Sequence, residues 1–334
     1  MMTRMRFALV ALAVAMGGVV GEPVVVIRDP AALALGTEDL PRGFAPRGGK
    51  CAPEAERFAA AVREAAAAGS FEVALGEQPL AGPNGPVDLI AVAVLRGDPA
   101  ALAAEVAKRR GDAANLDSRR FGNAILVLSG EDRSQRTLLA GASFGRYARL
   151  ARAAADERAK AGDAPGALAA LETVFELSAD DPRGRALAGA IAEKADPTGK
   201  SAREHYERAV RALEKVKPAA RPKGLLLEAR LGLARALRAA GEPAAAEAAA
   251  RVAAKDAEPG DADGAARAGY ETAAALAALG RSDEAIAELE RALGAAAGET
   301  ARDLARRARG DAAFAGLRED ARFRALLERF PAGE

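Results

Sequence analysis

Apolar positions along this chain change period near residue 143. Between about 22 and 143 they come in short runs bounded by Gly, Pro or Asp, which predicts strands at Val24 to Arg28, Phe71 to Gly76, Asp88 to Leu95, Asn123 to Ser129 and Arg136 to Ala140. Two helices fall between them. Pro53 to Ala68 carries Phe58, Val62 and Ala65 on one stripe. Asp98 to Arg110 opens with an Asp N-cap and a first-turn Pro, then places Leu102 and Val106 at i, i+4. Strands alternating with helices imply a small α/β layer, and the Pro- and Gly-rich run from Gly36 to Cys51 reads as a loop. From 144 to 330 the period is helical. In its clearest stretch, Ala266 to Leu293, Gly280 closes one helix and Ser282 and Asp283 are N-cap candidates for the next. That second helix sets Ala285, Leu289, Ala292 and Leu293 on one face.

Gly280 at the turn, with Ala285, Leu289 and Ala292 at small, large and small positions, resembles the tetratricopeptide (TPR) repeat of roughly 34 residues. Four turns align, at Gly162, Pro197, Gly241 and Gly280, spaced 35, 44 and 39 residues apart. The longer spacings place inserts at Lys217 to Gly224 and Glu258 to Gly264. The second-helix triplets are Ala167/Leu171/Val174, Ala202/Tyr206/Ala209, Ala246/Ala250/Ala253 and Ala285/Leu289/Ala292. First helices carry Leu150, then Leu187 and Ile191, then Leu231, Leu233 and Leu237, then Tyr270 and Leu276. One helix pair cannot bury both its faces, so about three or more must stack. After Leu293, a helix near Glu299 to Arg309 and a stripe of Phe314, Leu317, Phe323, Leu326, Leu327 and Phe330 would cover the last open face. The expected architecture is therefore mainly α, a TPR-like α-solenoid of helix hairpins over 144–330, preceded by a small α/β domain over 22–143.

The first 21 residues read as a signal peptide, with Arg4 and Arg6 before the apolar run Phe7 to Met16 and small residues at Val19-Val20-Gly21. This run is too short for a comfortable span, and no other segment could cross a membrane. Heavy Ala, Arg and Gly usage suggests a GC-rich bacterium, so the expected destination is the periplasm or the outside. With 50% hydrophobic and 28% charged residues the chain can bury a core, and its net charge of +1 does not point to nucleic acid or an acidic membrane. Cys51 is the single cysteine, which rules out an intramolecular disulfide and a thiolate metal site. It reads as a small residue at the start of a helix.

A second resemblance covers about sixty residues. Asp88 to Leu95, a helix, the strand Gly122 to Leu128 and the turn Glu131-Asp132-Arg133 look like the TPM domain of secreted bacterial proteins. It implies an α/β sandwich, in a family with members proposed to bind calcium or act as phosphatases. Ala124 replaces that family's glycine after Asn123, and its glycine-rich turn is reduced to Gly141. Other leads are short. Gly141-Ala142-Ser143-Phe144-Gly145 has the spacing of a nucleophile elbow, but the only histidine, His205, falls on a repeat helix and no later strand completes a hydrolase sheet. Thr198-Gly199-Lys200-Ser201 is a turn into a helix, not a phosphate loop, because no strand precedes it. Asp180-Asp181 before Pro182 reads as a capping turn, Glu131 to Arg133 as a hairpin turn, and His205 as a solvated helix residue.

The expected function is a protein-interaction scaffold without catalysis or cofactor. The alternative is an ion-binding or hydrolytic module in 22–143 with the repeats as an assembly arm. In the TPR family first helices line the inner face. Carrying its contact positions onto the four units selects Arg149, Arg152, Lys160, Lys194, Arg235, Arg238 and Arg267, against Asp156 and Glu228. Asn is missing from these positions, so the carboxylate clamp of some family members is not reproduced. The resemblance implies a basic groove for an acidic or carboxylate-ended peptide.

Overall fold

The computed structural model describes residues 27–110, 116–258 and 260–331. The expected leader and most of the expected first strand lie outside these, and Ile27 and Arg28 are not in a strand. Five strands form one wholly antiparallel sheet: β1 (Ala45–Pro46), β2 (Glu72–Gly82), β3 (Gly85–Arg96), β4 (Leu116–Phe121) and β5 (Ala124–Ser129), in the order β1-β2-β3-β5-β4. Strand β2 runs six residues past its expected end. Gly76 and Pro79 read as breakers, but β2 borders the edge of the sheet, where a proline is tolerated.

Helices α1 (Pro53–Ala65) and α2 (Pro99–Arg110) cover one face of the sheet, packing Phe58, Val62, Leu102 and Val106 on Ile90, Val92, Val94, Ile125 and Val127. The other face carries Leu89, Ala91, Leu126 and Leu128. It is covered by α3 (Arg133–Lys160), through Leu139, Tyr147 and Ala151. Coverage on both faces is why β3 reads as an unbroken apolar run. Arg136 to Ala140, expected as a strand, is the first part of this 28-residue helix. Leu138-Leu139-Ala140 alone suits either element, while Leu139, Ser143, Tyr147, Ala151 and Ala155, all buried, keep a strict four-residue step.

Helix α3 crosses residues 143 and 144, and its second half is the first helix of the array. It pairs with α4 (Ala164–Phe175). Then come α5 (Pro182–Ala195) with α6 (Lys200–Lys215), α7 (Leu225–Ala239) with α8 (Pro243–Asp256), and α9 (Ala262–Ala278) with α10 (Ser282–Ala295). All twelve residues of the four expected triplets are buried, which makes this a TPR-like repeat array in its own packing. Glycines in the left-handed region close the turns at Gly162, Gly199, Gly241 and Gly280. The second turn glycine is thus Gly199, not Pro197. A Cβ there would also stand 2.4 Å from the Ala236 carbonyl oxygen of α7. Asp163, Asp181 and Asp261 cap α4, α5 and α9, whereas Arg281 precedes α10 without a side-chain cap.

Helices α11 (Gly298–Gly310) and α12 (Ala321–Glu328) close the array. Tyr270 meets Phe314 edge to face with centroids 5.7 Å apart, and Phe314 stacks on Phe323 at 5.6 Å. The sheet and the first repeat helices share a core that reaches Ala188 and Ile191 of α5.

Candidate functional site

Successive first helices touch side by side, α3 with α5, α5 with α7 and α7 with α9. Five of the seven basic residues expected on this face are bound to acidic groups of other elements. Arg152 reaches the α5 cap Asp181 at 2.9 Å. Arg235 of α7 donates to Glu193 of α5, Nε to Oε1 at 2.5 Å and Nη2 to Oε2 at 3.2 Å. Arg238 reaches Asp311 at 2.8 Å and Glu271 of α9 at 3.7 Å. Arg267 pairs with Glu228. Arg149 pairs with Asp39, which also accepts from Arg146 at 2.6 Å, so Arg149 fastens the N-terminal region to α3. Burial would raise the Asp39 carboxyl, but the two guanidinium groups outweigh it and hold it below the ordinary range.

The centre of this spine is Glu271, 3% exposed and ringed by Arg235, Arg238 and Arg307, the last at 3.2 Å. Burial pushes its carboxyl up against the pull of the three guanidinium groups. Tyr206 donates to Glu193 at 3.0 Å and Tyr270 to Asp311 at 3.1 Å. The spine therefore staples first helix to first helix, with Arg152, Arg235 and Arg238 largely buried in it and Arg149 and Arg267 paired at the surface. Glu193, Glu271, Asp311 and Arg307 were absent from the sequence-derived face. The signal for them was Arg235 with Arg238 one turn apart on an Ala- and Leu-rich helix, where guanidinium groups need acids from the flanking helices.

Two expected residues stand apart. Lys160 is exposed and, among the described residues, pairs only with Asp156 of its own helix, at 2.5 Å. Lys194 is exposed and, among the described residues, makes no ion pair. Both line a groove of about 450 Å³ between the end of α3 and the end of α5. Ala159, Leu187, Ala190 and Ile191 form its apolar floor. It combines a floor that can bury side chains with a rim that can receive a carboxylate.

The remaining leads resolve into structural roles. Ser143 lies in mid-helix, buried, with its Oγ unpartnered, and the residues that lead into it are helix and not strand, so the nucleophile elbow is not formed. Asp132 does not turn a hairpin but caps α3, accepting from the Ser134 amide at 2.7 Å and from Asn84 at 2.6 Å. Asp181 caps α5. His205 is half-buried, not solvated, and Arg185 donates to its Nδ1 at 3.2 Å. Cys51 is buried before α1, and burial with the nearby Asp88 charge pushes its thiol up to about 12. Among the described residues no group of three or more His, Cys, Asp or Glu could hold a metal ion, and no helix is long and apolar enough to cross a membrane.

No family model and no curated protein matches the chain. Among solved structures it is similar to YrrB, described as a TPR protein with an unusual peptide-binding site, at 18% identity over 55% of this chain and 82% of that one, with a TM-score of 0.38. It is also similar to MamA, at 16% identity over 50% of this chain and 95% of that one, with a TM-score of 0.37.

Proposed function

We propose that the chain is a protein-interaction scaffold that takes an acidic or carboxylate-ended peptide in the groove between α3 and α5. The observation that carries this reading is the pairing of Lys160 and Lys194 on the rim of that 450 Å³ groove, over Leu187 and Ile191. Elsewhere on the face the arginines are committed to Glu193, Glu271, Asp181 and Asp311, so a ligand would have to displace an existing partner. In the groove Lys194 takes a carboxylate without giving up a partner, and Lys160 has to share only with Asp156 of its own helix, which also lines the groove. No catalysis enters the proposal. Its setting is outside the cytoplasm, on the strength of residues 1–21, and mature protein is expected to begin near Glu22.

Peptide selection from a random display library on the full mature chain tests the reading. The full chain is required because α3 is shared by the sheet and the array. Selected peptides should be enriched in Asp and Glu, and Lys160→Glu with Lys194→Glu should remove them. Lys217→Glu with Lys223→Glu, in the exposed α6–α7 connection, should leave them. Peptides without acidic bias, or acidic peptides retained by the groove variant, would discard the proposal.

A further inference from the structure

A separate cavity of about 270 Å³ lies where the end of α11 meets α12, lined by Arg309, Arg318, Phe323, Arg324, Leu327 and Glu328. Three guanidinium groups against one carboxylate give it a positive excess. Nearby arginines are matched differently: Arg306 sits on Asp303, Arg307 on Glu271, Arg322 on Asp320 and Arg329 on Glu290. Among the described residues Arg309, Arg318 and Arg324 form no ion pair. Arg309 Nη2 donates to the carbonyls of Leu327 at 2.6 Å and Phe330 at 3.0 Å, closing the end of α12. Its Nη1 is buried and has no hydrogen-bond partner. A buried charged donor without an acceptor is uncommon in a folded protein, and an oxygen from water or from a ligand would satisfy it. Phe323 and Leu327, both buried in the closing cluster, give the same cavity an apolar wall.

We propose that this cavity binds a small organic acid, its carboxylate held by the three guanidinium groups and its apolar body against Phe323 and Leu327. The guanidinium fork matches a carboxylate with two parallel hydrogen bonds. The volume falls just below the ~300–1,000 Å³ usual for drug-sized ligands, which suits an acid with one ring or a short chain. The proposal is independent of the α3–α5 groove.

Calorimetric titration of the full chain with 4-phenylbutyrate tests it, beside 4-phenylbutyramide and inorganic phosphate. The acid should bind, with the amide and phosphate at least ten-fold weaker. Arg318→Gln with Arg324→Gln should weaken the acid at least ten-fold and leave the melting temperature unchanged, since both side chains are exposed. Arg309 is left intact because it also closes α12. No binding at millimolar acid, equal binding of acid and amide, or acid binding that survives the double variant overturns the proposal. Phosphate binding as tight as the acid's does so too, since the arginines would then be a bare anion patch.

Discussion

Arg238 and Asp311, 73 residues apart, form a two-pronged ion pair, Nη1 to Oδ1 at 2.8 Å and Nη2 to Oδ2 at 3.0 Å. It joins the third repeat to the closing segment across the intervening α9, whose Tyr270 donates to the same carboxylate. Burial works against the Arg238 charge, but Asp311 and Glu271 outweigh it and hold the guanidinium above its ordinary value.

Arg238→Ala would leave the buried Glu271 and the half-buried Asp311 with one guanidinium fewer. The expected loss is about 3–5 kcal/mol, the range for removing one partner of a buried pair. Arg235→Glu with Arg238→Glu should be worse, adding two acids beside Glu271, so any loss of partner capture in that variant would report unfolding. Urea melts followed by circular dichroism decide this. A loss under about 0.5 kcal/mol, typical of surface changes, would mean that the spine is not holding the helices.

Gly232 and Gly294 should respond to alanine with opposite signs. A Cβ on Gly232 would stand 2.2 Å from the Tyr206 ring, which is buried and held by Glu193. Overpacking costs about 1–3 kcal/mol, against a helix-propensity gain of about 1 kcal/mol for Gly to Ala. Gly294, in the last turn of α10, has nothing within 4 Å of its Cβ position, so Gly294→Ala should stabilise by up to ~1 kcal/mol. Equal shifts in paired thermal melts would remove Gly232 as the seat of the Tyr206 ring.

The repeat pattern was legible because Gly turns and small-large-small triplets are local. Leu289, read from its i, i+4 spacing, is fully buried. Two things were not legible. The start of α3 hid because Leu138-Leu139-Ala140 fits a strand until its contact with the sheet is known. The pairing of the basic face hid for a different reason: charge counted along each helix leaves out partners that lie 42 residues away for Arg235 and 73 for Arg238. Lys160 and Lys194 are exposed because they stand at helix ends, beyond the reach of the next helix's acids.

Ser143 gives a sharp test against hydrolytic chemistry. Its hydroxyl is buried and unpartnered in the middle of α3, and such a group costs about 1–3 kcal/mol. Ser143→Ala removes it and suits a helix better, so stability should rise by about 1 kcal/mol. A catalytic serine would instead show loss of turnover on an ester substrate without stabilisation.

His205 sets the response to mild acid. Arg185 always donates, so the Nδ1 it reaches at 3.2 Å must be unprotonated, and the imidazole is neutral in the fold. Burial and then the Arg185 charge hold its pKa below the ordinary 6.5; Glu204 pulls the other way and Arg208 adds to the depression. The unfolded chain therefore takes up this proton more readily than the folded one. Stability should be complete above about pH 6.5 and should fall as pH drops from there towards the lower folded value. Carboxylates titrate mostly below about pH 4.5 and this is the chain's single histidine, but burial pushes the Glu271 carboxyl up, so between pH 7.5 and 5.5 it is the difference between the wild type and a histidine variant that isolates His205. On going from the higher to the lower value the melting temperature should fall further for the wild type than for His205→Gln. If both proteins lose the same amount, the neutral His205–Arg185 contact is not what acid breaks.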